Sequence, residues 1–477
     1  MATDQAYVTL RDKHVSELWA ASAEHIARTR WSTEQIWAER DNGLRRILRA
    51  AIDGSPWFRG RLAGISAEDF RFEDLRSLPV MTKADLIENF DDIVTDRRVT
   101  TDLVERHLAS LGDEDAYLLD AYHAAVSGGS SGVRSLFVFD WDSWKTYYLA
   151  LFRHIYRIRL EATGSYTKPP LTASITTVHA AHITSSLRQT FQPTDPPGIS
   201  IGLSVTDPLE KNISRLNDIQ PQALVAYPSV LQPLSQAARA GELRISPLAI
   251  IAVTEPLVPD LREAIHAAFP GSRIFNWYVA SEGGCMAASC GSAPGMHVSE
   301  DLVILEPVTA DGQPVPPGVR SDKVYLTNLA NRLMPLVRYE LDDQVTLLPR
   351  DEPCPCGSHH QRIADVEGRR RELFRYPGGV LVHSMRLYSP LTADPAVAEF
   401  QIHQTPNGIA VKLRGKNPDL PAIIRKLEAQ LTDSGLARPE VTVEAVQRIE
   451  RLEISGKMAR FIPLPANDRS TSQGASG

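Results

Sequence analysis

The chain has 477 residues, which is too long for one compact core, and its composition is that of an ordinary globular protein. We therefore expect two or three domains of about 150 residues each. Lysine and arginine total 51 against 58 acidic residues, and no basic block occurs, which argues against a nucleic-acid partner. No stretch approaches the roughly 18 apolar residues of a membrane span, and the N-terminus lacks an apolar leader. We expect a cytoplasmic protein without a membrane partner, and a homodimer is compatible with the sequence.

The first part of the chain has a helical pattern. Apolar residues recur at three- and four-residue spacings between residues 13 and 53, which predicts an amphipathic helical layer. Thr82, followed three residues later by Asp85, has the spacing of a capping box and predicts the start of another helix. Neither stretch indicates a chemical role.

A run of small residues follows the apolar segment 121–126. Glycine and serine leave the backbone open enough for successive N–H groups and hydroxyls to surround a phosphate. The run lacks the Gly-Lys-Ser/Thr ending of a Walker loop, and a flexible surface turn is the alternative when it is taken alone. Its members are Ser127, Gly128, Gly129, Ser130, Ser131 and Gly132.

An aromatic-rich helix and then alternating strands and helices are predicted in the middle of the chain. The helix, residues 142–159, is expected to pack in the core or to wall a substrate pocket. Strands that alternate with helices predict a mostly parallel sheet covered on both faces, and therefore an α/β fold. The predicted strands are residues 173–177, 223–226, 249–253 and 273–277.

The segments that directly follow these strands hold candidate site residues, because ligands of open α/β sheets bind at the carboxyl ends of the strands. These candidates are His179 and His182, Tyr227 to Ser229, Thr254 to Pro256, and Tyr278 to Glu282.

The second half of the chain changes character twice. Residues 303–348 have a β pattern with Gly/Pro turns, which predicts a small sheet or barrel beside the parallel sheet. Past residue 368 the pattern is compact α+β over about 110 residues, a natural size for a small domain. Strands are predicted near residues 399–403, 409–414 and 441–446, with a helix at 418–434, and we expect the tail from about residue 468 to be disordered.

Five segments together resemble motifs of the adenylate-forming superfamily, which comprises acyl- and aryl-CoA ligases, luciferases and peptide-synthetase adenylation domains. The phenylacetate-CoA ligase branch is the most similar. Each segment is weak alone, but their order and spacing over residues 127–460 make the match specific. They are the loop from Ser127 to Gly132, Tyr278 to Glu282, Pro335 to Asp343, Glu367 to Arg369, and Ser455 to Lys457.

The resemblance implies that the chain activates a carboxylic acid with ATP. Attack of the acid on the α-phosphate spreads negative charge over phosphate oxygens, which hydrogen-bond donors, Mg²⁺ and a cation must stabilise. The resemblance implies that Ser130 and Ser131 hold the phosphates, that Glu282 binds Mg²⁺ and that Lys457 reaches the developing adenylate. Asp343 would accept hydrogen bonds from the ribose. The full set of implied nucleotide contacts is Ser127, Gly128, Gly129, Gly132, Thr254, Glu255, Pro256, Asn276, Tyr278, Ser281, Asp343 and Arg369.

Residues near the strand ends are expected to border the pocket for the acid. We predict that His179 or His182 lies there together with Tyr227 and Trp277, the alternative being a pair of core or surface histidines. Rings stack and imidazole forms hydrogen bonds, so an aromatic or polar acid is favoured over a long fatty acid.

A structural metal site is predicted from the cysteines. Cys290 and His297 lie seven residues apart, and Cys354 and Cys356 lie just before the hinge that the resemblance implies at Glu367 to Arg369. Three thiolates and one imidazole form a closed tetrahedral Zn²⁺ site, which some relatives of phenylacetate-CoA ligase carry. Four free thiols are the alternative. Cys285 fits the spacing less well, and His359 or His360 could replace His297.

The function that we predict is formation of an acyl-AMP from ATP and a carboxylic acid, followed by transfer to coenzyme A. The predicted N-terminal domain spans residues 1–367, and a small mobile C-terminal domain spans residues 368–477. Transfer to an amine, a carrier protein or another nitrogen nucleophile is a second hypothesis. A non-catalytic nucleotide-binding descendant is a third, suggested by Val133, Val279 and Asp342 at positions where the motifs usually differ.

Overall fold

The structure of the chain is a computed structural model that describes residues 5–112, 114–127, 135–165, 170–191, 200–205, 207–364, 366, 373–377, 380–383, 387, 390–391, 396–415, 417–451 and 458–464. No helix in these ranges is both long enough and apolar enough to span a bilayer. A short 3-10 helix covers Phe72–Ser77. The α-helices within these ranges are α1 (Gln5–Arg28), α2 (Thr33–Gly54), α3 (Pro56–Arg61), α4 (Lys83–Glu88), α5 (Phe90–Ile93), α6 (Thr101–Ser110), α7 (Trp141–Thr163), α8 (Ile183–Thr190), α9 (Leu209–Ile219), α10 (Pro228–Arg239), α11 (Pro259–Ala268) and α12 (Leu420–Asp433).

The strands of the described residues form one large sheet and several small ones. The large sheet has the order β13-β9-β8-β7-β6-β5-β3-β4. Its strands are β3 (Thr172–Thr176), β4 (Ser200–Ser204), β5 (Ala223–Ala226), β6 (Ala249–Val253), β7 (Arg273–Ala280), β8 (Gly284–Ala288), β9 (Met296–Val298) and β13 (Arg362–Ile363). The other strands are β1 (His123–Val126), β2 (Leu136–Phe139), β10 (Val303–Val308), β11 (Lys323–Asn328), β12 (Tyr339–Leu341), β14 (Leu373–Arg375), β15 (Leu381–His383), β16 (Val397–Thr405), β17 (Gly408–Gly415), β18 (Glu440–Ala445) and β19 (Phe461–Ile462).

The α/β fold predicted from the alternating pattern is confirmed. Strands β4, β3, β5, β6 and β7 are parallel neighbours, and α9, α10 and α11 pack against the sheet. Strands β5 and β6 are continuous apolar runs, Ala223–Ala226 and Ala249–Val253, because parallel strands are buried on both faces. The sheet is not parallel throughout, however. Strands β8, β9 and β13 add an antiparallel edge that the sequence did not predict.

The N-terminal helical layer consists of two helices instead of one continuous stretch. Helix α1 ends at Arg28, and Ser32 begins α2 by accepting the N–H of Gln35, whose side chain accepts the N–H of Ser32 in return. This capping box satisfies two backbone donors and so separates the helices. The capping box predicted at Thr82 and Asp85 is also present, at the start of α4.

A hairpin and a long helix carry the chain to the sheet. Strands β1 and β2 are antiparallel and flank the Ser/Gly loop, whose residues 128–134 lie outside the described ranges. The described ends of this loop are joined, since Ser127 N–H donates to the Ser135 carbonyl and Ser135 N–H donates to Ser127 Oγ, each at 2.9 Å. Asp140 then caps α7 by accepting the Ser143 N–H at 2.8 Å, and Gly164, with φ of 70°, ends it.

Three smaller sheets follow in the second half of the described chain. The β region predicted at residues 303–348 is the antiparallel sheet β10-β11-β12. We call the described residues between 373 and 464 the C-terminal unit. It contains the hairpin β14-β15, the sheet β18-β17-β16-β19 and helix α12, which packs against β18 and buries Ile423, Leu427 and Leu431. The α+β pattern predicted there is therefore present.

Candidate active site

A cavity lies where the parallel strands end. It holds about 420 Å³ of free space, including its open mouth. Segments that follow β3, β5, β6 and β7 contribute to its wall, as the strand-end rule for open α/β sheets predicts. The lining residues are Val126, Tyr147, Thr177, His182, Ile183, Thr184, Tyr227, Thr254, Val279 and Ser281.

Polar groups dominate this wall. Six of the ten lining residues carry a hydroxyl and His182 carries an imidazole, so only Val126, Ile183 and Val279 are aliphatic. The phenol oxygen of Tyr227 accepts the Thr177 N–H at 3.3 Å, which holds the phenol at the cavity wall. Burial raises the pKa of Tyr227, so the phenol stays protonated. The cavity is therefore suited to a ligand that forms hydrogen bonds.

The structure places two of the four residues predicted to border the acid pocket at the cavity and two away from it. His182 and Tyr227 line the cavity. His179 is exposed, and its Nδ1 accepts the Ala181 N–H at 3.2 Å. Trp277 is buried below the cavity, in edge-to-face contact with Phe152 of α7 at 5.1 Å.

Thr254 has a strained backbone at the cavity. Its φ is 64°, and Glu255 N–H donates to the Val253 carbonyl across it at 2.8 Å, which makes it the centre of a classic γ-turn. A β-branched residue rarely adopts positive φ. Its Oγ1 is also buried without a hydrogen-bond partner among the described residues. Strain and an unsatisfied hydroxyl in one residue at a cavity indicate a ligand contact.

Glu255 connects the cavity to helix α10. Its carboxylate accepts the backbone N–H of Ser229 at 2.8 Å and the Ser229 hydroxyl at 3.0 Å. Ser229 is the second residue of α10, where backbone N–H groups have no partner within the helix and negative charge is favoured. Glu255 therefore supplies the anion at this helix end, and its neighbour Pro256 is half-buried.

The end of β7 meets the Pro335 to Asp343 segment beside the cavity. The Tyr278 hydroxyl donates to Asp343 Oδ2 at 3.0 Å, and both residues are buried. The structure thus joins two residues that the motifs assign to the nucleotide. Asn276 is buried two residues earlier, where its N–H donates to Ser289 Oγ and its carbonyl accepts the N–H of Ser289, the residue that follows β8.

Glu282 interacts electrostatically with Tyr339 of this segment and with Tyr147 of α7. Burial raises the pKa of Tyr339, and the nearby Glu282 carboxylate raises it further. Burial raises the pKa of Tyr147 as well, with smaller contributions from Cys285 and Glu282. Glu282 is thus a carboxylate whose charge acts on two protonated phenols, one of which, Tyr147, lines the cavity.

Several residues implied by the motifs lie outside the described residues. They are Gly128, Gly129, Ser130, Ser131, Gly132, Arg369 and Lys457. Only the two ends of the Ser/Gly loop are described, through the pairing of Ser127 with Ser135.

Sequence reasoning also missed residues that line the cavity. Thr177 and Thr184 carry no signal in a single sequence, whereas Tyr147 belongs to the aromatic helix that was expected to pack in the core or wall a pocket.

The predicted metal ligands form one buried cluster. The ligand atoms of Cys290, His297, Cys354 and Cys356 all lie within 4.8 Å of one another. Two edges of the cluster are 3.6 Å, from Cys290 Sγ to Cys354 Sγ, and 3.4 Å, from Cys356 Sγ to His297 Nε2. A tetrahedron with Zn–S of about 2.3 Å and Zn–N of about 2.0 Å has edges of about 3.8 and 3.5 Å. The donor set and its spacing therefore fit zinc.

The imidazole of His297 is oriented for this role. Its Nδ1 lies 3.2 Å from the carbonyl oxygen of His360, so that nitrogen carries the proton and Nε2 faces the sulfurs. His360 thus acts through its backbone and does not replace His297 as a ligand. Burial alone would raise the pKa of the Cys354 thiol, but the hydrogen bonds with His297 and with the Cys356 backbone together lower that pKa. Cys285 lies outside the cluster, where burial raises its pKa to about 12.

Comparisons with known proteins identify the fold. No protein-family model and no curated protein sequence matches the chain. Among solved structures, it is similar to 2-hydroxyisobutyryl-CoA ligase in the postadenylation state with an acyl-AMP, at 17% identity, with 92% of each chain covered and a TM-score of 0.68. It is also similar to that ligase with acyl-AMP and CoA in the thioesterification state, at 17% identity, 91% coverage of each chain and a TM-score of 0.56. The chain has the fold of the adenylate-forming enzymes.

Proposed function

We propose that this chain is an AMP-forming acid–CoA ligase, which converts a carboxylic acid and ATP to acyl-AMP and pyrophosphate and then transfers the acyl group to coenzyme A. The observation that carries the proposal is the cavity at the strand ends, bordered by the Tyr278–Asp343 pair and by the hairpin that frames the Ser/Gly loop. The ligase of similar fold was solved with acyl-AMP, which supports this reading.

The described residues fit a nucleotide in part of the proposed site. Asp343, which accepts a hydrogen bond from the Tyr278 hydroxyl, would bind the ribose hydroxyls, and the strand-end segment Thr254 to Pro256 with Asn276 would enclose the adenine. Glu282 is the carboxylate that would hold Mg²⁺, which supplies charge neutralisation at the phosphates when bound. Ser130, Ser131, Arg369 and Lys457 keep the roles that the motifs imply.

The acid that we propose is small and carries a hydrogen-bonding substituent. Hydroxyls of Thr184, Ser281 and Tyr227, with the imidazole of His182, face the same cavity. A substituent that forms a hydrogen bond with one of these groups contributes about 0.5–1.5 kcal/mol net, which an unsubstituted chain or ring cannot provide. A polar acid, aromatic or aliphatic, is therefore favoured over a fatty acid.

Two arrangements of the small domain are part of this proposal. We place the domain boundary at residues 367 and 368, with Lys457 presented for adenylation and withdrawn for transfer. The TM-score falls from 0.68 against the postadenylation state to 0.56 against the thioesterification state of the same ligase. Because one protein provides both structures, the difference reflects the arrangement of its parts, which supports an adenylation-like arrangement here.

Acid-dependent pyrophosphate release tests the proposal. Matched acids that differ only in a hydroxyl, such as 3-hydroxybutyrate with butyrate and 2-hydroxybenzoate with benzoate, should be turned over with kcat/KM at least about tenfold in favour of the hydroxy acid, since sites that bind a substrate hydroxyl discriminate strongly. Adding coenzyme A should release AMP and form a thioester. No pyrophosphate release with any acid would reject the ligase, and preference for the unsubstituted partners would reject the polar acid alone.

We also propose that the Cys/His cluster binds one structural Zn²⁺. Four protein ligands leave no open position on the metal, which is typical of sites that stabilise a fold rather than catalyse.

A further inference from the structure

One face of helix α10 is polar and touches the C-terminal unit. Ser229, Gln232 and Gln236 follow one another at spacings of three and four residues and therefore share a helix face. Each has a partner in the C-terminal unit. Arg451 Nη1 donates to Ser229 Oγ at 3.5 Å, Arg460 Nη1 donates to Gln232 Oε1 at 3.4 Å, and Gln236 Nε2 donates to the Val397 carbonyl at 2.7 Å.

These contacts are suited to an interface that forms and releases. A single hydrogen bond contributes only about 0.5–1.5 kcal/mol net, because water replaces the partner when the contact opens. Serine and glutamine side chains can be solvated, whereas an apolar helix face would resist separation. The polar residues on this face of α10 therefore favour a contact that can open over a permanently packed one.

Arg451 is held in place from its own side of the interface. Its Nη2 donates to Glu399 Oε1 at 2.7 Å, and Arg414 Nε donates to the other oxygen of Glu399 at 2.8 Å. Arg451 and Glu399 are largely buried, with side chains 12% and 11% exposed. The guanidinium is therefore preorganised before it meets α10, which lowers the entropy cost of docking.

Ser229 links Arg451 to the cavity. Ser229 Oγ donates its proton to Glu255 Oε1, and the lone pairs of Ser229 Oγ accept the hydrogen bond from the Arg451 guanidinium. Glu255 follows Thr254, which lines the cavity. Arg451 also lies six residues before Lys457 in the chain. A contact chain from Glu255 through Ser229 to Arg451 thus joins the strand-end segment to the part of the sequence that carries the lysine.

We propose that the polar face of α10 is the docking surface for the C-terminal unit during adenylation, and that Arg451 is the positioning residue that registers Lys457 there. The proposal rests on the proposed ligase function for its catalytic meaning. Arg451 touches neither substrate nor reacting atoms in this role. Arg451 fixes the position on α10 from which the chain continues towards Lys457. The contact between Arg451 and Ser229 is broken when the C-terminal unit rotates for transfer.

The two half-reactions of Arg451→Ala test this role. Formation of acyl-AMP, followed as pyrophosphate release in a single turnover, should slow about 10- to 100-fold, the effect of losing a hydrogen bond to a charged group. Transfer from synthetic acyl-AMP to coenzyme A should stay within twofold of the unmodified protein. Arg451→Lys should restore part of the lost rate, and Arg448→Ala, at an exposed arginine three residues earlier, should change neither step. Equal losses in both half-reactions would overturn the positioning role.

Hydrogen exchange tests the docking without any substrate. In Arg451→Ala, and in Gln232→Ala as a second variant, amides of α10 and β16 should exchange at least tenfold faster, while those of α2 should not change. Unchanged exchange in both variants would overturn the docking surface, whatever the activity. If the unmodified protein releases no pyrophosphate with any acid but exchange responds as expected, the proposed function fails and the docking surface stands.

Discussion

Removing one ligand of the Cys/His cluster should destabilise the chain by a predictable amount. Cys290 and Cys354 are 64 residues apart, and sheet β10-β11-β12 lies between them. A metal that joins them closes this loop and reduces the conformational entropy of the unfolded chain. The relation used for covalent cross-links gives about 4 kcal/mol at 25 °C for a loop of this length.

Cys354→Ser should therefore lower the free energy of unfolding by roughly 2–4 kcal/mol, because three ligands retain part of the metal affinity. At about 2 °C for each kcal/mol in a large domain, the melting temperature should fall by about 4–8 °C. Metal analysis of the unmodified protein should give about one zinc per chain. A chelator strong enough to remove that zinc should lower the melting temperature of the unmodified protein in the same direction.

Cys285→Ser is the matched control. Cys285 is as buried as the ligands, but its Sγ contacts the Ala287 carbonyl at 3.8 Å and lies outside the cluster. The control therefore measures the effect of replacing a buried thiol with a hydroxyl. Protein without zinc, or equal melting shifts for the two variants, would refute a stabilising metal. Pyrophosphate release by folded Cys354→Ser protein should remain largely intact, and its loss would refute a purely structural role.

Four further outcomes are expected. Lys457→Ala should slow adenylation about 10²–10³-fold while sparing transfer from preformed acyl-AMP, measured as separate half-reactions. Asp343→Asn should chiefly raise KM for ATP, because ribose contacts exist in ground and transition states alike, and an unchanged KM would refute that contact. Thr254→Gly should leave the melting temperature unchanged or higher and raise KM for the acid or ATP; a lower melting temperature with unchanged KM would contradict the strain argument. Burial lowers the pKa of His14 to about 4 and of His25 to about 3. Each histidine contributes stability that is present above about pH 6.5 and is lost as the pH falls towards the folded pKa, by up to about 1.4 kcal/mol per pH unit. Urea unfolding at pH 7 and at pH 5 should therefore give a lower free energy of unfolding at pH 5, and His14→Gln should reduce this difference.

The parallel part of the sheet could be predicted because local and tertiary signals agree there. Strands β5 and β6 are short apolar runs bounded by turn residues, and helices follow each of them. The antiparallel edge could not be predicted in this way. Strands β8 and β9 are short, and the direction of a short strand depends on which neighbour it pairs with, which local sequence does not specify.

The metal cluster and the cavity differ in how much the sequence reveals. Cysteine and histidine are rare enough in this chain that two close pairs already indicate four ligands. Thr184 and Thr177 are ordinary residues of loop and helix start, and only tertiary structure brings them to the cavity. Trp277 has the same strand parity as Val279, which lines the cavity, but it lies about 6.6 Å further back along β7, where Phe152 covers it.

Thr254 shows why the cavity is better explained as a binding site than as a packing defect. A non-glycine residue at positive φ costs about 1–2 kcal/mol, and a buried hydroxyl without a partner costs about 1–3 kcal/mol. Glycine in the same γ-turn would avoid both costs, since it has neither Cβ nor hydroxyl. A ligand that accepts or donates one hydrogen bond at Oγ1 offsets the second cost, and only when the ligand is bound. Because the Thr254 hydroxyl gains a hydrogen bond only from a polar ligand, the site favours a polar ligand over an apolar one. The hydroxyl-bearing residues Thr184 and Ser281 on the same wall agree with this preference.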